Sequence, residues 1–301
     1  MSSPINRGSF AALLEPDLRM VFVETGQERP LEYPMWVNTP SMDWNPITDK
    51  QISGLGAMPS KDEGAQFELD KPIDGNTKQY EAVPYGMAVE ITREMFDDDL
   101  YGPMREFTRL MAKSSRNRLE VDAHSILNNA FSTSFAGFDT SKSLCSTSHV
   151  LLNGGSAANR PTVDTGLSQT AIQDALIRFE NMDDERGLPV LLSPSVLVIS
   201  PDDRFLAREL FGSAQKVDSA ENNINALLDE DLKVMVNHYL TSTTAWYLLS
   251  SKGNHDLNFF IRNSPEFDSF TDPWTGNAVF TVYQRHIAGY GSWKGVDGST
   301  G

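Results

Sequence analysis

The segment that most constrains this chain is SKDEGAQFELDKPIDGNTKQYEAVPYGMAVEITREMF, residues 60–96, which runs into an acidic stop at Asp97-Asp98-Asp99. From Asp62 to about Glu90 it alternates polar and apolar residues, with turn chemistry at Pro72-Ile73-Asp74-Gly75-Asn76, so it reads as an extended hairpin. Arms of roughly 12–15 residues would reach on the order of 40–50 Å at about 3.3 Å per residue. The segment has few large apolar residues to fold back on its own protein, and an isolated two-stranded hairpin is marginal in water. Such a hairpin leans on another chain, which points to a protein that assembles.

The hairpin feeds the strongest helical pattern in the sequence, residues 100–131. On a 100° wheel Leu100, Met104, Phe107, Leu110, Met111 and Val121 fall on one face, with Arg105, Arg109, Lys113 and Arg116 in a narrow stripe opposite. Arg118 falls on the apolar side, which implies a buried ion pair or an interface there. The acidic triplet suits the helix N-terminus, and 32 residues would span about 48 Å. The basic stripe has two readings: solvated charges paired with acidic neighbours, or weak contact with nucleic acid or an acidic assembly factor.

Elsewhere the pattern is mixed. Residues 1–58, rich in Pro, Asn and Trp, read as a mostly irregular arm draped over something. Residues 132–167 read as Ser/Gly/Asn/Thr loops with a short hairpin. Ile172, Ala175, Leu176 and Phe179 mark a helix over Ser168–Met182. Val196–Ile199 is a strand leading into a short helix through Phe211, and 212–229 a surface loop. Strands are expected within 231–240, 245–249, 257–262 and 278–287. Phe267–Trp274 reads as core or subunit contact. Helices and strands without regular βαβ alternation make the class α+β.

Chemistry is hard to find. The five histidines lie far apart, and no Cys/His spacing suits zinc. Cys145 and His149 sit four apart in a Ser/Thr loop with no third partner, and read as structural. Asp97–Gly102 resembles a calcium loop only until Tyr101, which replaces an oxygen ligand at the fifth position, and Thr108, at the twelfth, where a bidentate Glu is needed. Gly54-Leu55-Gly56 lacks the third glycine of a dinucleotide fingerprint, and neither a phosphate-binding loop nor a G-x-S-x-G elbow occurs. No catalytic residue, metal site or cofactor is assigned.

With 25 basic and 41 acidic residues, the net charge of −16 argues against a general nucleic-acid binder and suits a protein that sits near DNA without sticking to it. The single cysteine fits a reducing compartment. The start, MSSPINRGSF, shows no export signal, and no apolar run is long enough for a membrane span.

Four stretches together resemble the major capsid proteins of tailed bacteriophages, in particular the Mu-like major head subunit family. They are Tyr85-Gly86-Met87-Ala88-Val89-Glu90-Ile91-Thr92-Arg93-Glu94-Met95 with Tyr101-Gly102, Val196-Leu197-Val198-Ile199-Ser200-Pro201, Trp246-Tyr247-Leu248, and Arg285-His286-Ile287-Ala288-Gly289-Tyr290-Gly291-Ser292-Trp293-Lys294-Gly295. The resemblance implies the Hong Kong 97-type capsid fold. Its parts would be an N-terminal arm (1–59), an extended loop (60–92) and a peripheral domain (93–189) with a spine helix (about 100–131). An axial domain (190–265) and return strands with a C-terminal tail (266–301) would complete it.

The resemblance further implies self-assembly into hexamers and pentamers of an icosahedral shell around double-stranded DNA. It places the protein in the virion, assembled in the bacterial host cytoplasm without a membrane, with a portal and, given the short start, a separate scaffolding protein. Asp62, Glu63, Phe67, Lys71, Lys78 and Tyr80 become candidates for contact between subunits, and the stripe Arg105, Arg109, Lys113 and Arg116 a candidate inner surface. Some relatives cross-link a Lys to an Asn; Lys61, Lys71 and Lys78 lie in the loop, and no cross-link is expected. The alternatives are an encapsulin-type nanocompartment and, from another class, a soluble enzyme.

Overall fold

The computed structural model of the chain describes residues 8–92, 94–95, 102–213 and 225–301. The acidic triplet, Leu100 and Tyr101 lie outside them.

The two longest strands, β9 (Leu257–Thr271) and β10 (Ala278–Tyr290), form an antiparallel hairpin. Strand β3 (Val83–Ile91) pairs with the other edge of β10, giving the order β3-β10-β9. Strand β10 is buried at alternate positions over most of its length, as a half-buried strand should be. Its inward residues Ala278, Phe280 and Val282 meet helix α2 (Gly102–Asn128). Helix α1 (Gly8–Gln27) packs on α2 and on β9, and Phe22 stacks on Phe267 with ring centroids 5.4 Å apart.

A second sheet has the order β11-β8-β6-β7: β6 (Pro194–Ile199), β7 (Lys233–Val236), β8 (Trp246–Ser250) and β11 (Val296–Ser299). Strand β6 runs parallel to β7 and antiparallel to β8. All five residues of β8 are buried, which explains its unbroken apolar run. Helix α3 (Gln169–Glu180) turns Ile172, Ala175, Leu176 and Phe179 into this core, and the Ser168 hydroxyl caps it by accepting from the Ala171 amide at 3.2 Å. Helix α4 (Arg204–Gly212) follows β6, and the short pair β4 (His149–Val150) and β5 (Ser156–Ala157) supplies the hairpin expected in the Ser/Gly-rich region.

Helix α2 belongs to both cores. Met104, Met111 and Ala112 pack with the first sheet, while Leu119, Ala123, Ile126 and Leu127 pack with the second. At about 1.5 Å per residue it is roughly 40 Å long.

The fold corrects three expectations. The N-terminal arm is not mostly irregular: α1 occupies 8–27, with Leu18, Val21, Phe22 and Thr25 buried at helical spacing and Pro16 carried inside the helix. The apolar face of α2 is rotated from the one expected. Met104 and Met111 are buried and Phe107 partly so, but Leu110 and Val121 are exposed, and Thr108, Ser115 and Glu120 are buried instead. The hairpin has a different partner and a different turn. Strand β1 (Ile47–Ile52) pairs with β2 (Asp74–Tyr80), from Ile47 opposite Tyr80 to Ile52 opposite Asp74, so Asp74–Asn76 lie within a strand. Residues 83–91, read as part of the outgoing arm, pair with β10 in the body, where β10 offers an open edge.

Candidate assembly surfaces

Two places gather most of the residues singled out by sequence, the loop joining β1 to β2 and the surface of α2; a third, the junction where the N-terminal segment crosses α2, emerges from the structure.

The β1–β2 loop is closed at its base by two reciprocal bonds. The Ser53 amide donates to the Ile73 carbonyl at 3.0 Å, and the Ile73 amide donates to the Ser53 hydroxyl at 2.7 Å. Further out, the Asp70 carboxylate accepts from the Gly56 amide at 2.6 Å and from Arg186 at 2.5 Å. These two donors hold its carboxyl below the usual carboxylate range. The chain then reverses at Asp62–Ala65, where Gly64 adopts φ +79°, a backbone region that suits glycine. Beyond the clasp, Met58, Phe67 and Leu69 stand out in solvent, Phe67 at 83 % exposure, with the Lys61 ammonium 5.1 Å from its ring centroid.

Of the six expected contact residues, Asp62, Glu63, Phe67 and Lys71 face solvent on this loop. Lys78 and Tyr80 do not, because both are held by their own chain. The Lys78 ammonium donates to the Ala136 carbonyl at 2.8 Å. Tyr80 is buried with Met42, Ala82 and Phe260, its ring centroid 4.8 Å from that of Phe260. The ring lies against Gly289, where a Cβ would come within 2.5 Å of it. A sequence reading could not separate these two from the others, since the burial of Tyr80 depends on β10, some 200 residues away.

The basic stripe on α2 is largely occupied by the chain itself. Arg105 pairs with Asp17 at 2.5 Å, and Arg116 donates to the carbonyls of Gly26 and Pro30 at 3.3 and 2.8 Å. Arg109 lies 3.6 Å from Glu106, and Lys113 is exposed. Arg105 and Arg116 thus anchor the N-terminal helix; they do not present a free basic surface. Arg118 pairs with Asp122 at 2.6 Å, but the expected buried ion pair is not what forms, since nearly half its side chain is exposed. Its guanidinium lies 4.3 Å over the Tyr85 ring and donates to the Tyr85 hydroxyl at 3.0 Å.

The junction was not legible in the sequence. Glu120, buried on α2, accepts from the amides of Glu32 and Tyr33 at 2.6 and 3.2 Å. Glu32 in turn accepts from the His238 amide and from its Nδ1 at 3.1 and 2.6 Å. Trp36 donates its indole N–H to His124 Nε2 at 3.3 Å, so His124 keeps its proton on Nδ1, which donates to the Glu120 carbonyl at 2.6 Å. The arm is thereby tied to α2 and to the turn after β7. The available signal was a glutamate spaced three and seven residues from Ala123 and Leu127 on one helical face.

Cys145 is buried in the main core, and burial pushes its thiol well up. His149 stacks on Trp293 at 4.3 Å and bonds Asn159 at 2.8 Å. Among the described residues no three His, Cys, Asp or Glu side chains converge as metal ligands, and no helix is long and apolar enough to cross a membrane.

Comparison with known proteins matches residues 75–296 to the family model described as "Phage capsid protein". Among solved structures, the capsid of cyanophage P-SCSP1u is 9 % identical with a TM-score of 0.59, covering 90 % of this chain and 88 % of its own. The Microbacterium phage Oxtober96 structure is 10 % identical with a TM-score of 0.56, covering 90 % and 91 %. The SrpI encapsulin of Synechococcus elongatus PCC 7942 is 10 % identical with a TM-score of 0.51, covering 88 % and 85 %. At these identities the likenesses establish the fold. No curated protein sequence matches.

Proposed function

Because this chain belongs to the phage capsid protein family, we propose that its copies form hexamers and pentamers that close an icosahedral head around double-stranded DNA. It is a major capsid protein with the Hong Kong 97-type fold. One observation carries the assembly mechanism. The clasped β1–β2 loop exposes Met58, Phe67 and Leu69, although the chain has well-filled cores elsewhere. Apolar side chains on a braced, projecting loop are buried only when copies meet. Unlike patches meeting on successive identical copies give rings and closed shells.

In this reading the β1–β2 loop is the extended loop. Helix α2 with the β3-β10-β9 sheet forms the peripheral domain, and the β11-β8-β6-β7 sheet is the core of the axial domain. Asp62, Glu63, Phe67 and Lys71 are the loop residues that meet the neighbouring subunit. The role is structural, with no catalytic step. An acidic wall confines DNA without trapping it. Assembly in the host cytoplasm, with a scaffolding protein and a portal as partners, completes the proposal. A shell around a protein cargo is the second reading, favoured by the likeness to the encapsulin; family membership favours the head.

The test is to express the chain and examine it by size-exclusion chromatography with light scattering and by electron microscopy. Shells, tubes or rings of five or six support the reading. A monomer or dimer that persists at high concentration with a candidate scaffold supplied would sink it.

A further inference from the structure

We propose that Trp274, at the tip of the β9–β10 hairpin, inserts into a groove between α2 and β3 of a second copy, a head-to-tail contact repeated from subunit to subunit. The inference rests on the shell reading above.

The knob is exposed on a braced turn. Trp274 is 93 % exposed, whereas tryptophan is on average highly buried. Its turn is nevertheless fixed around Asp272. The Trp274 amide and the Thr275 hydroxyl donate to the Asp272 carboxylate at 3.1 and 2.7 Å, and the Gly276 amide donates to the Asp272 carbonyl at 2.8 Å. Asn277 braces the turn against Glu90 on β3 at 2.6 Å. With the backbone of the turn already fixed, docking has only the indole left to order, and tryptophan is enriched among the residues that dominate interfaces.

The hole is lined by Tyr85, Met87, Ser114, Arg118, Val282 and Gln284 and holds about 190 Å³. That is below the roughly 300–1,000 Å³ of pockets that take small-molecule ligands, so a single large side chain suits it. Tyr85, Met87 and Val282 supply apolar walls. Arg118 already stacks on Tyr85, and its half-exposed guanidinium can stack on an indole as well. The Ser114 hydroxyl at the wall can accept the indole N–H. Charge agrees too: the tip carries Asp272, and the groove is flanked on α2 by the exposed Lys113.

The occupant must come from another copy. Val282 lies four strand positions from Ala278, where β10 begins, so the tip stands roughly 13 Å or more beyond the groove at about 3.4 Å per residue. A straight hairpin cannot bring its own tip back to its own groove.

Cross-linking tests the contact directly. In the chain carrying Pro273→Cys and Ser114→Cys, oxidation of assembled particles should give a ladder of disulfide-linked oligomers on non-reducing electrophoresis. Each single variant should stay mainly monomeric, since Cys145 is buried. Particles that form but give no ladder overturn the contact and leave the shell reading intact. A native chain that forms no shells, tubes or rings removes both. Independently, Trp274→Ala should leave the unfolding of the subunit unchanged and raise the concentration needed for assembly about tenfold or more. An unchanged threshold overturns the proposal.

Discussion

Arg178 and Asp297 meet inside the molecule as a two-point ion pair, with guanidinium Nε and Nη2 each 2.8 Å from a carboxylate oxygen and Asp297 without solvent exposure. The pair ties α3 to β11. Burial pushes the Asp297 carboxyl up to about 6 against the pull of Arg178.

Arg178→Ala should therefore destabilise the subunit by about 3–5 kcal/mol near pH 8, because it leaves a buried carboxylate unpaired. The loss should shrink below pH 6, where Asp297 can take a proton and shed its charge. Urea unfolding at pH 8 and pH 5 checks this, and an equal loss at both would count against it.

Acid should weaken the fold through its buried histidines. Burial lowers His149 and His255 from 6.5 to about 4, and lowers His124 as well. The unfolded chain takes these protons below about pH 6.5, while the folded chain refuses them until about pH 4. Stability thus falls as pH drops through that window and levels off below it. His149 and His255 each contribute about 3 kcal/mol to the fall. His149→Phe, which keeps a ring against Trp293, should flatten the urea-unfolding slope between pH 6.5 and 4 by about that amount.

Glu120→Ala should release the arm. The amides of Glu32 and Tyr33 lose their acceptor, costing about 1–3 kcal/mol for each group left buried and unsatisfied. A glutamate-specific protease should then cut faster after Glu28, which is exposed, than in the native protein. Glu120→Gln keeps one acceptor oxygen and should fall between the two. Equal cutting rates in all three would mean that Glu120 does not hold the arm.

The rotated face of α2 separates two neighbouring substitutions. Met111→Asp buries a charge in the first core and should cost about 4 kcal/mol or more and abolish assembly. Leu110→Asp, on the exposed side, should stay within about 0.5 kcal/mol of native folding stability. Matching losses in thermal unfolding would restore the face read from sequence.

Elements whose signal is local were legible. Helices α2 and α3, the buried strands β6 and β8, and the β4–β5 hairpin follow from periodicity and turn residues within each segment. Helix α1 was hidden because Pro16 and the prolines after it read as irregular, although Leu18, Val21, Phe22 and Thr25 carried the helical spacing. The register of the loop was hidden for a different reason. Pro72–Asn76 has turn chemistry, yet pairing with Ile47–Ile52 and the docking of Tyr80 against Phe260 decide its conformation, and these are distant in sequence. Glu120 and Arg186 gained their importance in the same way, from partners that only the folded chain brings near.

Helix α2 gives Met104 and Met111 to one core and Leu119 to Leu127 to the other, so neither sheet can loosen without disturbing the beam they share. A wall built of such units yields at its seams, between molecules. Load on the shell is then borne as strain across many small joints, while each building block keeps its shape.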